Sequence, residues 1–215
     1  MNIHRFNDAA QLAEAVAQRV VAAASEAIMA RGLFHWALAG GTTPRLCYEQ
    51  LRDAGIDWRH VHVWFGDERC LPAGDHQRND VMADDALLRH VPIPAGQIHR
   101  IRAELGPERG AELYATALAE VSDLDLVLLG MGEDGHTASL FPGSTALKDR
   151  SLAVPVINSP KPPAQRVSMG NMALKAARSR IILVTGEAKR KAFERVCHGE
   201  DLPVNIAASD WYVAF

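Results

Sequence analysis

Residues 124–143 read LDLVLLGMGEDGHTASLFPG, and the interpretation of the whole chain starts from this stretch. The apolar run 124–129 is typical of a buried parallel strand, and the glycines after it let the backbone turn sharply and approach a ligand closely. Asp134 and His136 follow the predicted strand directly. Because ligands of open α/β sheets bind outside the carboxyl ends of the strands, an acid and an imidazole at this point predict a functional site.

Strands and helices alternate on both sides of this stretch. Hydrophobic spacing predicts strands over residues 33–39, 61–65, 124–129, 152–157, 166–169, 180–185 and 211–213. Hydrophobic spacing and capping signals predict helices over residues 9–31, 44–51, 79–89, 107–121 and 187–196. Thr43 is the predicted N-cap of the second of these helices, and Asn171 is the predicted N-cap of one further helix. This alternation predicts an α/β protein: one three-layer α/β/α domain over residues 1–215 with a mostly parallel, Rossmann-like sheet. The proline loop, residues 159–163, has predicted sheet on both sides, so no domain boundary is expected there.

Composition excludes several classes of protein. With 48% hydrophobic and 23% charged residues the chain can form a normal core, and a net charge of −3 argues against a general nucleic-acid binder. No apolar run is long enough to span a bilayer, and residues 1–8 lack the apolar core of a signal peptide. Three scattered cysteines without a CxxC pair favour a reduced, cytoplasmic setting. We therefore expect no nucleic-acid or membrane partner. The sequence leaves the oligomeric state open between a monomer and a homodimer.

Residues 40–43, GGTT, form a turn that opens a predicted helix. Free N–H groups and the helix dipole favour an anion at such a point, although an ordinary capped turn explains the pattern equally well. A P-loop is excluded because its Gly-Lys-Ser/Thr ending is missing. Residues 130–135 formally match G-x-G-x-x-G, but Asp134 and His136 would crowd and repel a pyrophosphate, so dinucleotide binding is not predicted.

Other charged residues lie near predicted strand ends. Residues 67–69, Asp-Glu-Arg, are expected to face solvent or a ligand, because acids are poor core residues. Arg166 and Lys189 flank the late strand, and Lys189 in the first turn of a helix opposes the dipole, which a bound anion would explain. Each also has an ordinary surface interpretation. His60 and His62 have no evident third ligand, so no metal site is predicted.

The residue types limit the possible chemistry. There is no G-x-S-x-G motif for a serine nucleophile, and no cysteine is paired with a histidine by an evident motif. Direct attack by water remains, with His136 as general base, since an imidazole of pKa ~6.5 can accept a proton at neutral pH.

The order and spacing of these blocks resemble one enzyme family over nearly the whole chain. GGTTP at 40–44, DER at 67–69 and GMGEDGHTASLFPG at 130–143 are similar to the blocks of the 6-phosphogluconolactonases, and residues 166–168 and 186–189 resemble the later ones. A sister family, the glucosamine-6-phosphate deaminases and isomerases, shares the first and last blocks. Its central block continues toward Ile-Ala-Phe-Asn-Glu-Pro, whereas this chain continues TASLFP, which favours the lactonase.

The resemblance implies hydrolysis of 6-phosphoglucono-1,5-lactone to 6-phosphogluconate, in the oxidative pentose phosphate pathway, without a required metal or organic cofactor. It implies that His136 is the general base, that Asp134 orients it, and that Arg69 binds substrate or stabilises the oxyanion. The implied substrate and phosphate contacts are Gly40, Gly41, Thr42, Asp67, Arg166 and Lys189. After DER the family commonly has a Ser-Asn-Tyr type block. Here Arg78-Asn79-Asp80 keeps only the asparagine, so Asn79 receives no role.

Two alternatives stay open at this point. A deaminase or isomerase of amino-sugar phosphates would need an acid that moves a proton between sugar carbons, and Asp67 could serve. A sugar-phosphate-binding regulator would usually carry a helix-turn-helix segment, for which no room is expected before the first predicted helix.

Overall fold

The computed structural model describes residues 1–121, 123–206 and 208–215. The helices are α1 (Ala9–Arg31), α2 (Thr42–Gln50), α3 (Asn79–Ala86), α4 (Pro107–Ala119), α5 (Asn171–Ala176) and α6 (Arg190–Cys197). The strands are β1 (Asn2–Arg5), β2 (Phe34–Leu38), β3 (Val61–Phe65), β4 (Asp67–Arg69), β5 (Leu126–Gly130), β6 (Ala153–Val156), β7 (Arg166–Met169), β8 (Ser179–Thr185) and β9 (Asp210–Ala214). Among the described residues, no helix has both the length and the apolar character needed to cross a bilayer.

The larger sheet has six strands in the order β1-β9-β8-β5-β2-β3, and every pair in it is parallel. The apolar run of β5 lies in the middle of this sheet and is buried, as its composition predicts for a strand covered on both faces. Trp36, Trp64 and Trp211 are fully buried core residues on β2, β3 and β9. The predicted α/β class with a mostly parallel sheet flanked by helices is confirmed.

A second, antiparallel sheet, β4-β7-β6, was not predicted. Gly66 joins it to the first: its N–H donates to the carbonyl of Leu38 and its own carbonyl accepts from the N–H of Met169, both at 2.8 Å. The chain therefore passes from β3 into β4 without a loop. This small sheet brings β4 and β7 beside the carboxyl ends of the parallel strands.

Three predicted helix boundaries were wrong, two of them because a glycine takes the N-cap position. Gly41, with φ +107°, is the N-cap of α2, so Thr43 lies inside the helix. Gly170 is the N-cap of α5, and Asn171 is its first residue. α3 ends at Ala86 and a 3₁₀ turn follows.

Two further differences lie near the chain ends. Residues 187–189 form a 3₁₀ turn before α6, so the predicted helix starts late. Strand β1 was missed because its four residues are mostly exposed and carry little apolar pattern. It is held by parallel pairing with β9.

The direction in which the chain builds the sheet reverses at β2. Its neighbour β3 follows directly in sequence, whereas β5 lies on its other side and leads on to β8 and β9. A crevice opens at such a switch point outside the carboxyl ends of the strands, and ligands bind there. The turns that follow β2 and β5 meet at this crevice.

Candidate active site

A cavity of about 460 Å³ lies at this switch point. It is lined by Ala39, Gly40, Gly41, Gly66, Asp67, Arg69, Asn79, Leu128, Leu129, Gly130, Met131, Gly132, Glu133, His136, Ala138, Lys161, Pro162, Arg166 and Lys189. Seven of the site residues predicted from the sequence are in that lining; Thr42 and Asp134 are not. Asn79 and Lys161 line it without having been predicted.

His136 is held by its neighbour Asp134. Nδ1 of the ring lies 2.5 Å from Oδ1 of Asp134, which also accepts the His136 backbone N–H at 3.1 Å. Gly132 permits this arrangement, since a Cβ there would lie 2.1 Å from the imidazole. With Asp134 ionised, the proton of neutral His136 sits on Nδ1, so Nε2 is left as a proton acceptor. Nε2 makes no hydrogen bond to the described residues.

Burial sets the protonation state of this pair. It lowers the pKa of His136 below its usual value, although the hydrogen bond and charge of Asp134 oppose the shift. Burial by itself would raise the pKa of Asp134, but hydrogen bonds from the ring and backbone N–H groups of His136 lower the pKa of this carboxyl overall. The pair is therefore neutral imidazole beside carboxylate at neutral pH. The ring of Phe141 packs against the imidazole with centroids 4.4 Å apart.

Glu68 of β4 is buried, which corrects the prediction that the acids of this tripeptide face solvent or a ligand. Glu68 is 0% exposed and accepts the backbone N–H groups of Arg69, Asn79 and Asp80, each at 2.8 Å. Burial and the nearby charge of Asp80 raise the pKa of Glu68 to about 7. The donors come mostly from residues eleven and twelve positions along the chain, so no local pattern in the sequence indicates them.

Asp67 is also buried, but it borders the cavity. Its Oδ2 accepts the hydroxyl of Ser139 at 2.6 Å, and Nη1 of Arg166 lies 3.8 Å away. Its Oδ1 and backbone carbonyl accept the side-chain amide of Asn79. The carboxylate is thus fixed by hydrogen bonds from Ser139 and Asn79 and lies close to the guanidinium of Arg166.

The divergent Arg78-Asn79-Asp80 block is part of a buried ion network. The guanidinium of Arg78 donates to both carboxylate oxygens of Asp80, at 3.0 and 3.1 Å, and to Glu104 at 3.1 Å. It also donates to the carbonyl of Ile101. Arg78 therefore anchors the start of α3 and, through it, the position of Asn79.

Arg166 and Arg69 face each other across β7 and β4. Arg166 donates to three carbonyls of the proline loop, those of Lys161, Pro162 and Pro163, at 2.9 to 3.2 Å. Its Nη1 lies 3.5 Å from Oγ of Ser139 and 3.8 Å from Oδ2 of Asp67, which borders the cavity. Arg69 donates through Nη1 to the carbonyl of Gln77, while its buried Nε lacks a partner among the described residues.

Lys161 and Lys189 bring two ammonium groups to the same cavity. Burial lowers the pKa of Lys189, the charge of Lys161 lowers it further, and Glu133 opposes both. Like charges at one site without an anion are unfavourable, so this pair favours an anionic ligand. Lys161 was missed because the proline loop was interpreted only as surface. The arginine that follows it, Arg166, holds that loop toward the cavity.

The turn after β2 is tied to the segment that carries Lys189. Gly41 caps α2 without a side-chain hydrogen bond to its N–H groups, and Thr42 is exposed beside it. Oγ1 of Thr43 lies 2.5 Å from Oγ1 of Thr185, the last residue of β8. The two turns that could contact an anion are therefore held at a fixed separation.

His60 and His62 bond elsewhere. Nδ1 of His60 lies within hydrogen-bond distance of the carbonyl oxygen of Gly32, at 2.9 Å, and Nδ1 of His62 lies 3.0 Å from Nε2 of His99. Over residues 1–121, 123–206 and 208–215, no three His, Cys, Asp or Glu side chains are grouped so that they could hold a metal ion.

Comparison with known proteins shows which family the sequence resembles. The family profile described as "Glucosamine-6-phosphate isomerases/6-phosphogluconolactonase" matches residues 7–212. The 6-phosphogluconolactonase of Mycobacterium tuberculosis is 37% identical over 224 residues, covering 97% of this chain and 90% of that protein. The GDH/6PGL endoplasmic bifunctional protein of Oryctolagus cuniculus is 39% identical over 84% of this chain, which spans only 24% of that longer relative.

A solved structure gives the same result for the fold. The crystal structure of 6-phosphogluconolactonase from Thermotoga maritima superposes with a TM-score of 0.92 at 25% identity, covering 100% of this chain and 99% of that one. The chain belongs to the family of glucosamine-6-phosphate isomerases and 6-phosphogluconolactonases.

Proposed function

We propose that this protein hydrolyses 6-phosphoglucono-1,5-lactone to 6-phosphogluconate, the lactone-opening step of the oxidative pentose phosphate pathway. The observation that carries the proposal is the Asp134–His136 pair, which presents an unprotonated Nε2 beside a cavity that also contains two lysines. An ester with a distant phosphate fits both features, since one end needs an activated water and the other needs cations.

His136 acts as general base in this mechanism. Nε2 takes a proton from water, the resulting hydroxide attacks the lactone carbonyl carbon, and Asp134 stabilises the imidazolium that forms. The carbonyl oxygen becomes a tetrahedral oxyanion, and Arg69 supplies the donor for it. Collapse of this intermediate breaks the bond between the carbonyl carbon and the ring oxygen. The ring oxygen takes the proton back from His136 and leaves as a hydroxyl.

The phosphate binds at the cationic end of the cavity. Lys161 and Lys189 neutralise its charge, and the N–H groups at Gly41 and Thr42 donate from the start of α2. Gly40 lets the turn approach closely. Arg166 contributes Nη1 to the substrate on the side of Asp67, while its other donors keep the proline loop, and therefore Lys161, in place.

The deaminase or isomerase alternative has less support. It requires Asp67 to move a proton between sugar carbons. Asp67 is instead a buried acceptor for Ser139 and Asn79, so its lone pairs are largely occupied. This environment suits a carboxylate that holds a ligand or a neighbouring residue in place.

Parallel assays on freshly prepared substrates test the proposal. The lactone is generated from glucose 6-phosphate and its decay is followed with and without protein, with EDTA present. Glucosamine 6-phosphate is assayed for release of ammonia. We expect lactone decay well above the spontaneous rate and no ammonia. Ammonia release without faster lactone decay would favour the alternative.

We also propose a cytoplasmic location. All three cysteines are free thiols: Cys47 is buried, Cys70 is half-buried and Cys197 is exposed. An exposed free thiol suits a reducing compartment. The substrate, formed from a sugar phosphate that does not cross membranes readily, suits the same compartment.

A further inference from the structure

Asn79 is a buried polar residue of the cavity wall to which no role has yet been given. Its side chain is 5% exposed and borders the cavity. Nδ2 donates to the backbone carbonyl of Asp67 at 2.9 Å and to its Oδ1 at 3.0 Å. Both partners are acceptors, so only the nitrogen end of the amide can face them. The orientation of the amide is therefore determined by Asp67.

The oxygen end of the same amide has no donor. Oδ1 of Asn79 accepts no hydrogen bond from the residues the structure describes. It lies against the turn after β2, where a Cβ on Gly40 would be only 2.1 Å from it. A carbonyl oxygen in a cavity wall that accepts no hydrogen bond from the protein is free to accept one from a ligand or a water molecule.

The backbone under Asn79 is fixed as well. Its N–H donates to Oε1 of Glu68 and the N–H of Asp80 donates to Oε2, each at 2.8 Å. The buried carboxylate thus fastens the first turn of α3. The amide oxygen is therefore held in position before any ligand binds. A single hydrogen bond to such a fixed acceptor can discriminate between ligands that have a hydroxyl at that point and ligands that lack it.

We propose that Oδ1 of Asn79 accepts a hydrogen bond from one ring hydroxyl of the substrate, and that Asn79 thereby selects sugars bearing that hydroxyl. The inference rests on the proposed function and deepens it. A phosphate has only acceptor oxygens at neutral pH, so it would be repelled by Oδ1 and by the neighbouring carboxylate of Asp67. The hydroxyl-bearing part of the ligand therefore lies at the Asp67–Asn79 end, and the phosphate lies at the Lys161–Lys189 end.

Deoxy lactones test this assignment. The parent lactone and its 2-deoxy, 3-deoxy and 4-deoxy analogues are prepared fresh from the corresponding hexose 6-phosphates, and kcat/KM is measured for the unaltered protein and for Asn79→Ala. For the unaltered protein, we expect kcat/KM to be about 10-fold lower on one of the three analogues than on the parent lactone, which corresponds to the loss of one neutral hydrogen bond. For Asn79→Ala, kcat/KM on the parent lactone should be about 10-fold lower than for the unaltered protein, and kcat/KM on that analogue should be no lower than on the parent.

Glu104→Gln is the matched control. It weakens the same buried network through Arg78 but does not touch Asp67 or the cavity. A loss that is purely structural lowers activity on all lactones by one factor, so this variant should keep the full discrimination. Asn79→Ser repeats the test if Asn79→Ala does not fold, since its shorter side chain also removes the acceptor.

The outcomes separate the two proposals. Undiminished discrimination in Asn79→Ala, or no discrimination in the unaltered protein, overturns the role of Asn79 while leaving the lactonase activity intact. Failure of the unaltered protein to speed decay of the parent lactone overturns the proposed function, and the role of Asn79 with it.

Discussion

Oδ1 of Asp134 lies 2.5 Å from Nδ1 of His136, although a single residue separates the two in sequence. That residue, Gly135, has φ +84°, and its backbone carbonyl accepts the N–H of Val204. A Cβ at this position would lie 2.5 Å from Leu202. The left-handed glycine therefore folds the carboxylate back onto the imidazole. The orienting group and the base are delivered together by one turn.

Replacement of the imidazole should remove turnover and leave binding. In His136→Ala we expect kcat to fall by at least ~100-fold, because general-base catalysis contributes roughly 10²–10⁴. KM should change little, since the phosphate contacts are retained. Steady-state kinetics on fresh lactone give both constants. His198→Ala, at an exposed position, is the control, and full activity in His136→Ala would rule out the general-base role.

The pH dependence should follow the lowered pKa of His136. Only the neutral imidazole can accept the proton, so kcat/KM is full above the pKa of His136 and falls as the pH drops through it. Burial lowers that pKa, so the acid limb should lie below about 6.5, the ordinary value. Profiles corrected for spontaneous hydrolysis measure it. An acid limb above the ordinary value would contradict the assignment.

Asp134→Asn should shift this limb and reduce the rate. The carboxylate of Asp134 opposes the lowering of the His136 pKa, so its removal should move the acid limb to still lower pH. The ring also loses the partner that fixes its tautomer, so kcat should fall as well. The same profile reports both effects. A limb that moved to higher pH would show that Asp134 does not stabilise the imidazolium.

The two lysines should govern substrate affinity. Lys161→Ala and Lys189→Ala should each raise KM by roughly 10- to 100-fold, because a charge-assisted hydrogen bond is worth roughly 1.5–3 kcal/mol, and should change kcat less. Lys191→Ala, two residues from Lys189 and exposed, is the matched control. Unchanged KM in both variants would show that the phosphate does not bind at this end of the cavity.

Glu68 should matter for stability. In Glu68→Gln one carboxylate oxygen becomes an NH₂ that faces backbone N–H groups, and an unsatisfied buried group costs about 1–3 kcal/mol. Urea denaturation should show a loss of that size in the free energy of unfolding. Glu194→Gln, at an exposed position, should lose almost nothing. Equal stability of the two variants would mean that the three hydrogen bonds to Glu68 add little.

The fold was largely predictable because its main signals are local. The apolar run of β5 and the glycines after it indicate a buried strand and a sharp turn within a dozen residues. The antiparallel sheet was not predictable in this way: β4 has three residues, two of them acids, and it exists because β7 pairs with it from about a hundred residues away. Strand β1 likewise depends on a distant partner, β9.

The same distinction between local signals and long-range contacts applies to the residues of the candidate site. The glycine turns, His136 and Asp134 carry their signal in short motifs, and most of the residues singled out there line one cavity. Asn79, Lys161 and the buried state of Glu68 depend on contacts between segments far apart in sequence. Nothing next to Lys161 indicates that Arg166 draws the proline loop over the cavity.

A crystal structure with bound 6-phosphogluconate tests the central claim most directly, because it places both ends of the product at once. We expect its carboxylate within hydrogen-bond distance of Nε2 of His136 and its phosphate between Lys161 and Lys189. A product bound in the reverse direction, with its phosphate at His136 and its carboxylate at the lysines, would contradict the mechanism.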